Sequence, residues 1–303
     1  MEMKVLLTGA TGYIGGAVAD ALQKRGHEVI GLARSDEAAS KLEAKGITAA
    51  RGSLSDPQSV AAAARETDAV IHAAATGGPD APQADRQTVE AIVNALEGTD
   101  KPFIYTSGVW VLGNTGEHVA DEESALDPTP LVAWRPAVEQ LALDAAKRGV
   151  RSIVIRPGVV YGRGGGMVAD FIDSARRNGA ARYIGTGENR WSLVHADDLA
   201  DLYVRALENA PAGTLLMAAS GPSMRVREIA ERASRTAGAD GRTESWPLDE
   251  AQARLGPYAD ALVLDQQVSA ARARELLQWS PTAASLAEDL ERGSYVANAS
   301  SEK

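Results

Sequence analysis

Residues 3–16 read M-K-V-L-L-T-G-A-T-G-Y-I-G-G and decide the fold. The apolar run at the start is typical of a short buried strand, and good helix formers follow Gly16. Between them, Gly9 permits a tight turn, Gly12 lets the backbone approach a pyrophosphate, and Gly15 lets the helix pack close to the strand. Because a helix N-terminus favours bound anions, this stretch predicts the phosphate-binding turn of a dinucleotide site.

Strand and helix patterns continue to alternate after this stretch. A strand at 27–33 completes a βαβ unit of about thirty residues. Further strands are predicted at 47–51, 68–72, 102–106 and 151–156, with helices at 57–66, 83–96 and 136–148. This alternation predicts an α/β fold, a Rossmann doubly wound parallel sheet that binds ligands at the carboxyl ends of its strands.

The pattern changes after Pro157, where the glycine cluster 162–166 precedes helices and short strands in less regular order. We therefore predict a dinucleotide-binding domain over 1–160, to which 186–220 returns. Residues 161–303 are predicted to form mainly a smaller C-terminal substrate lobe. The tail after Leu290 loses its apolar periodicity, and we expect it to fray.

Composition excludes several classes of function. Apolar residues make up 45% of the 303-residue chain, which is enough for a large core, and the net charge of −10 argues against nucleic-acid or anionic-membrane partners. The chain has no cysteine and four scattered histidines, so we expect no disulfide and no metal site. Without a leader or a membrane-spanning apolar run, the expected compartment is the cytoplasm. The oligomeric state stays open, with a homodimer as one alternative.

The end of the second strand selects the dinucleotide. An NAD site normally places an acidic residue there, whereas this chain has Arg34 and Ser35, which suit a 2′-phosphate. We therefore predict NADP (NADPH). The alternative is that Arg34 is only a solvated strand-end residue, and Asp36 and Glu37 nearby oppose a phosphate.

Several motifs together resemble the short-chain dehydrogenase/reductase superfamily, in particular its extended or atypical, epimerase/dehydratase-like members. The motifs are T-G-A-T-G-Y-I-G at 8–15, G-S-L at 52–54, H-A-A-A at 72–75, R-P-G-V-V-Y-G at 156–162 and V-H-A-D-D at 194–198. Relative to the family pattern, Ser53 replaces an aspartate. The resemblance implies cofactor contacts from Gly9, Thr11, Gly12, Tyr13, Ile14, Gly15, Arg34, Ser35, Ser53, Leu54, Ala73, Ala74, Ala75, Thr106, Arg135, Pro157 and Val159.

The resemblance also implies a catalytic serine, a tyrosine and a lysine four residues after the tyrosine. Ser107 matches the serine that orients a substrate carbonyl. Leu131 and Arg135 stand at the tyrosine and lysine positions, and no tyrosine of the chain is followed by lysine at that spacing. Because Pro136 starts a helix readily, we expect Arg135 just outside it. Arg135 is predicted to contact the nicotinamide ribose or, alternatively, to form a salt bridge with Glu139 or another acid.

Other groups of the chain could donate a proton in place of the missing tyrosine. Tyr161, His195, Tyr258 and water are the candidates, and the motif that contains Tyr161 favours packing on the cofactor side for this residue. His195 at a helix start is more simply a structural hydrogen-bonding group, followed by first-turn acids. The predicted substrate contacts are Ser107, Val109, Trp110, Trp191 and Tyr258, and the tryptophans are alternatively core residues.

These features predict an NADPH-dependent reductase of a small, partly apolar carbonyl, imine or enone, with Ser107 polarising the acceptor. The first alternative is a nucleotide-sugar epimerase or dehydratase, which the V-H-A-D-D motif favours and the lost tyrosine opposes. The second alternative is a non-catalytic, NADP-binding redox-sensing regulator.

Overall fold

Strands and helices alternate along most of the chain in the computed structural model, which describes residues 2–296. The strands are β1 (Lys4–Thr8), β2 (Glu28–Ala33), β3 (Thr48–Arg51), β4 (Ala69–His72), β5 (Pro102–Thr106), β6 (Arg151–Pro157), β7 (Val159–Tyr161), β8 (Ala181–Ile184), β9 (Arg190–Trp191), β10 (Leu193–His195), β11 (Thr214–Ala218), β12 (Met224–Arg225) and β13 (Thr243–Trp246). The helices are α1 (Tyr13–Lys24), α2 (Asp36–Glu43), α3 (Pro57–Arg65), α4 (Ala81–Leu96), α5 (Arg135–Asp144), α6 (Met167–Asn178), α7 (Ala196–Asn209), α8 (Val226–Thr236), α9 (Leu248–Leu255), α10 (Pro257–Leu262), α11 (Ala271–Leu277) and α12 (Leu286–Arg292).

Seven strands form one parallel sheet in the order β11-β6-β5-β4-β1-β2-β3. The chain runs outward from β1 to β3 and then returns to β4 on the other side of β1. This reversal leaves a crevice at the carboxyl ends of β1 and β4, the usual ligand position in such sheets. The predicted Rossmann-like α/β fold is confirmed.

The core lies on both faces of the sheet because successive strand residues point to opposite sides. Val5 and Leu7 pack in the layer that contains α1 and α7, whereas Leu6 packs in the layer that contains α3, α4 and α5. All three side chains are fully buried. Because β1 is anchored on both faces, the glycine turn that follows it has a fixed position at the carboxyl edge of the sheet.

A smaller layer packs around α6, α8 and α12, with the short strand pairs β7–β10, β8–β13 and β9–β12 beside it. Its core includes Phe171, Ile229 and Tyr295. Tyr295 is 1% exposed, so the expected fraying after Leu290 is wrong up to residue 296. One large aromatic side chain holds this segment although the apolar periodicity has ended. Residues 297–303, which the same expectation covers, lie outside the described residues.

Candidate active site

The glycine turn between β1 and α1 is closely packed against its own backbone. The Gly12 N–H donates to the Gly9 carbonyl at 2.8 Å, and Gly9 has a φ of +78°. A Cβ at Gly15 would lie 2.0 Å from the Gly9 oxygen, and one at Gly9 would lie 2.8 Å from the Ala73 oxygen. Among the described residues no side chain caps α1, so its first N–H groups remain available to an anion.

A cavity of about 280 Å³ begins at this turn and extends to the ends of β2 and β3. Arg34 lines it, and within residues 2–296 its side chain makes no hydrogen bond or ion pair. The acidic neighbours are engaged elsewhere: Asp36 pairs with Arg51 and Glu37 with Lys41, each at 2.6 Å. These pairs reduce the repulsion that a phosphate beside Arg34 would meet.

Many of the predicted cofactor residues line one of two cavities. The small cavity is lined by Gly9, Thr11, Gly12, Arg34, Ser53, Leu54, Ala73, Ala74 and Ala75. A second cavity of about 680 Å³ is lined by Tyr13, Ile14, Arg135, Pro157 and Val159, among others. Ser35 instead caps α2, where its hydroxyl accepts from the Ala38 N–H at 3.2 Å. The Thr106 hydroxyl is bonded to the Tyr203 hydroxyl at 2.7 Å, so only its backbone carbonyl is directed to Arg135.

The larger cavity lies between the sheet and the loop that precedes α6. Ser107, Val109 and Trp110 form part of its wall, opposite Gly166 and Met167. Leu131 also lines it and belongs to the 3-10 turn Pro130–Val132 rather than to α5. An apolar side chain therefore occupies the place where the sequence pattern leads one to expect a phenol.

Both hydrogen-bond donors of Ser107, its hydroxyl and its backbone N–H, are bonded to other protein groups. Its hydroxyl donates to Oε1 of Glu139, and its backbone N–H donates to the Ile155 carbonyl at 2.8 Å. Arg156 holds the same carboxylate from the other side, with Nε 3.0 Å from Oε1 and Nη2 2.5 Å from Oε2. The Arg156 Nη1 is buried and has no hydrogen-bond partner within residues 2–296. The sequence indicated Ser107, but it did not indicate that a buried ion pair holds it.

Arg135 is the first residue of α5, so the expectation that it lies outside this helix is wrong. Pro136 fits the second position, where the first turn needs no N–H donor. The Arg135 Nη1 donates to the Thr106 carbonyl at 3.2 Å, and the guanidinium lies 4.6 Å from the centre of the Trp134 ring. The alternative salt bridge is also wrong: Arg156 occupies the Glu139 carboxylate, and within residues 2–296 Arg135 makes no ion pair with another acid.

A buried chain of hydrogen bonds connects Arg135 to the start of the crevice. Arg135 contacts the Tyr105 hydroxyl at 3.4 Å, and that hydroxyl donates to Oδ2 of Asp85 at 2.6 Å. His72 Nε2 lies 3.1 Å from Oδ1 of Asp85, and its Nδ1 lies 2.7 Å from the Thr8 hydroxyl. Sequence reasoning missed Asp85 and Tyr105 in this role. Their only sequence signal is a polar residue on the apolar face of a helix and another within a buried strand.

This chain of hydrogen bonds should make the free energy of unfolding depend on pH in the acidic range. Burial alone would raise the pKa of Asp85, but hydrogen bonds from His72 and Tyr105 outweigh it and hold that pKa below its ordinary value. Burial raises the pKa of Tyr105, so the phenol stays protonated and donates. A folded-state pKa below the unfolded one means that the unfolded chain binds more protons as the pH falls. The stabilisation from Asp85 is present above about pH 4 and is lost below it.

We therefore expect Asp85→Asn to lower the unfolding free energy by about 1–3 kcal/mol at neutral pH. Between about pH 4 and pH 2 its stability should also fall less steeply than that of the wild type. Urea unfolding across this range measures both effects. The exposed Asp249→Asn is the matched control, and an equal slope for Asp85→Asn and wild type would contradict the assignment.

Tyr161 does not reach the larger cavity. Its hydroxyl donates to the Ala284 carbonyl at 2.9 Å, and its ring packs edge-on against His195 with 5.2 Å between the centres. The neighbouring Val160 lines the cavity, and successive strand residues point to opposite sides. The predicted catalytic role of Tyr161 is thus corrected to a packing role. His195 caps α7 by accepting from the Asp197 N–H, as its structural alternative predicts.

Trp191 and Tyr258 line a third cavity of about 450 Å³. Met167 lines both this cavity and the larger one, and the Tyr258 ring meets Trp110 edge-on with 6.0 Å between the ring centres. Trp191 donates to the Leu262 carbonyl at 3.2 Å and is 3% exposed. These two predicted substrate residues therefore lie beside the Ser107 cavity rather than in it.

The glycine cluster 162–166 is hydrogen-bonded to two tyrosines that are far apart in the sequence, Tyr13 and Tyr295. The Tyr13 hydroxyl donates to the Gly162 carbonyl at 2.6 Å, so α1 is tied to this loop. The Tyr295 hydroxyl accepts from the Gly162 N–H at 2.9 Å and donates to the Gly165 carbonyl at 2.8 Å. Two phenols thereby fix the loop that closes one side of the larger cavity.

Residues 2–296 contain no cluster of three or more histidine or acidic side chains that could hold a metal ion. No helix in the same range is both long enough and apolar enough to span a bilayer.

Comparisons with known proteins agree with this geometry. The sequence profile of the NAD dependent epimerase/dehydratase family matches residues 5–217, which include the glycine turn, Ser107 and Arg135. The chain belongs to this family. An uncharacterized protein of Schizosaccharomyces pombe is 34% identical over 97% of this chain and 100% of its own length.

One further relative in sequence and one solved structure carry more informative names. A 2-alkyl-3-oxoalkanoate reductase of Stenotrophomonas maltophilia is 29% identical over 78% of this chain and 76% of its own length. A UDP-glucuronic acid 4-epimerase of Bacillus cereus, solved with UDP-glucuronic acid and NAD, superposes with a TM-score of 0.80. It covers 98% of this chain and 99% of its own, at 18% identity, and so shows the fold. Family membership makes the protein an NAD(P)-dependent oxidoreductase or epimerase.

Proposed function

We propose that the protein is an NADPH-dependent reductase of a small, partly apolar carbonyl, imine or enone. The observation that carries the proposal is the joint lining of the larger cavity by Ser107, Arg135 and Leu131, directly beside the glycine turn. Ser107 and Arg135 are polar groups that position ligands, and Leu131 provides no acid or base. Oxidation of a sugar hydroxyl requires a base at that point, whereas reduction of a reactive acceptor does not.

The chain's own residues suit a phosphorylated dinucleotide. Gly9, Gly12 and Gly15 leave a cradle that a Cβ would fill, and Arg34 is unpaired at the far end of the small cavity within the described residues. A guanidinium binds phosphate in a bidentate manner. When bound, the reduced dinucleotide supplies hydride to the acceptor. We assign cofactor binding to 1–160 with 186–220, and substrate binding mainly to 161–303.

The first test compares NADPH and NADH binding to the wild type and to Arg34→Ala by calorimetric titration. Loss of a charged hydrogen bond corresponds to roughly 10- to 100-fold weaker NADPH binding, with NADH binding unchanged. Arg65→Ala, an exposed arginine on α3, is the matched control. Equal loss of both nucleotides in Arg34→Ala would contradict the assignment to the 2′-phosphate.

The second test separates the reductase from the other two functions. Purified protein is incubated with NADPH and matched panels of ketones, imines and enones, and the loss of NADPH absorbance is followed. A reductase consumes NADPH with at least one panel. Conversion of nucleotide sugars without net NADPH consumption would favour an epimerase. Binding of NADPH without any turnover would favour a redox sensor.

The relatives support the reductase more than the epimerase at the level of sequence. The named reductase from Stenotrophomonas maltophilia matches over most of this chain, whereas the likeness to the solved epimerase rests on the fold. Neither relative indicates the substrate of this protein. The residues around Ser107 give more information about it.

A further inference from the structure

Glu139 decides which way the Ser107 hydroxyl points. Glu139 is 2% exposed and Arg156 is 3% exposed, and two hydrogen bonds join them. Arg156 donates to both oxygens of Glu139 in a charge-assisted bidentate pair, and a carboxylate accepts hydrogen bonds but cannot donate them. The hydroxyl that contacts this carboxylate must therefore be the donor.

Ser107 consequently presents an acceptor to the cavity. A serine hydroxyl carries one proton, and in Ser107 this proton is directed to Glu139. The backbone N–H of Ser107 is also occupied, by the Ile155 carbonyl. What remains at this part of the cavity wall is the pair of lone pairs on Oγ. A neutral ketone or imine would bring its own lone pair against them.

The positive charges near this part of the cavity wall are compensated, so a bound cation would meet little net repulsion. Arg156 is paired with Glu139, and the charge of Arg135 is accompanied by Asp85, which its positive charge helps to keep ionised. The two guanidinium groups are thus balanced by two carboxylates. Trp110 adds an aromatic surface to the same cavity, and aromatic faces attract cations.

We infer that the acceptor is an iminium ion, the protonated form of an imine, whose N–H donates to Oγ of Ser107. This inference rests on the proposed reductase function. On reduction a new C–H bond forms at the iminium carbon, and the C=N π electrons become the lone pair of the product amine. The nitrogen keeps its proton, so the chain has no proton to supply. Leu131, which stands at the expected tyrosine position and has no proton to give, is consistent with a reaction that needs no proton donor.

The test uses 3,4-dihydroisoquinoline, a cyclic aromatic imine whose neutral and protonated forms absorb differently in the ultraviolet. Its binding to the wild type is titrated over a range of pH without added nucleotide. Wild type should prefer the protonated form. In Ser107→Ala this preference should fall by roughly tenfold to a hundredfold, because a hydrogen bond from a charged donor is lost. Ser107→Ala also enlarges the cavity, but the neutral and protonated forms differ by only one proton in size. The added space should therefore affect both forms alike and leave the preference between them unchanged.

Thr76→Val is the matched control, since it removes another hydroxyl from the wall of the same cavity. Its preference for the protonated form should equal that of the wild type. Ser107→Ala leaves the Glu139–Arg156 pair in place, and thermal unfolding verifies that it folds. A wild type that binds the neutral imine better, or a Ser107→Ala variant with undiminished preference, overturns the inference. If such a protein still binds NADPH and reduces ketones, the proposed function stands; if NADPH does not bind, the proposed function fails first.

Discussion

Gly15→Ala should weaken nucleotide binding by at least roughly 100-fold. The added Cβ would lie 2.0 Å from the Gly9 carbonyl oxygen, a separation that real Cβ contacts do not reach. The glycine turn would have to move by about 1 Å, and a shift of that size in a positioning group costs roughly two orders of magnitude. Calorimetric titration with NADPH measures the loss, and a melting curve shows whether the variant remains folded.

Gly221→Ala is the control for this experiment. Gly221 does not adopt a positive φ, and nothing lies within 4 Å of the position that its Cβ would take. It should bind NADPH like the wild type. A folded Gly15→Ala variant with wild-type affinity would show that the nucleotide does not depend on this turn.

Glu139→Gln should lower the free energy of unfolding by about 3–5 kcal/mol. The substitution leaves the Arg156 guanidinium buried without its counter-charge, which is the costly half of breaking a buried ion pair. It also removes the charged acceptor of the Ser107 hydroxyl. Equilibrium unfolding in urea measures the change.

Two variants control for this prediction. Glu97→Gln breaks the exposed pair with Arg148 and should leave the unfolding curve almost unchanged. The double variant Glu139→Leu with Arg156→Met replaces both charges and should recover much of the lost stability, because no unpaired charge remains. A Glu139→Gln protein as stable as the wild type would mean that the pair contributes little to the fold.

Local patterns in the sequence were sufficient to predict the fold. The buried run at 4–8, the glycine spacing and the alternation of strands with helices each depend on neighbouring residues, and all lead to the same parallel sheet. The position of Arg34 was also predictable, because it directly follows the last residue of β2. Its lack of a partner within the described residues could not be found, since Asp36 and Glu37 had first to be seen pairing with other side chains.

The site was predictable only where a single strand end determines it. Ser107 follows β5 directly, so its place at the crevice was foreseeable. Glu139 reaches it from a helix 32 positions later, and Asp85 reaches Tyr105 across 20 positions. Contacts of that kind depend on how helices pack on the sheet. Tyr161 was misplaced for a simpler reason: one step along a strand reverses the side to which a residue points.

The Tyr295 hydroxyl, near the end of the described residues, makes a structural cross-link by hydrogen bonding. It joins the last helical region to the loop that faces the glycine turn, through two backbone groups of that loop. Shortening the chain before Tyr295 would remove both hydrogen bonds from this wall of the larger cavity, whereas the Tyr295 ring packs in the layer around α6, α8 and α12 rather than in the core of the seven-stranded sheet. Expression level and thermal unfolding would therefore not by themselves show whether a shortened protein keeps this cavity wall in place.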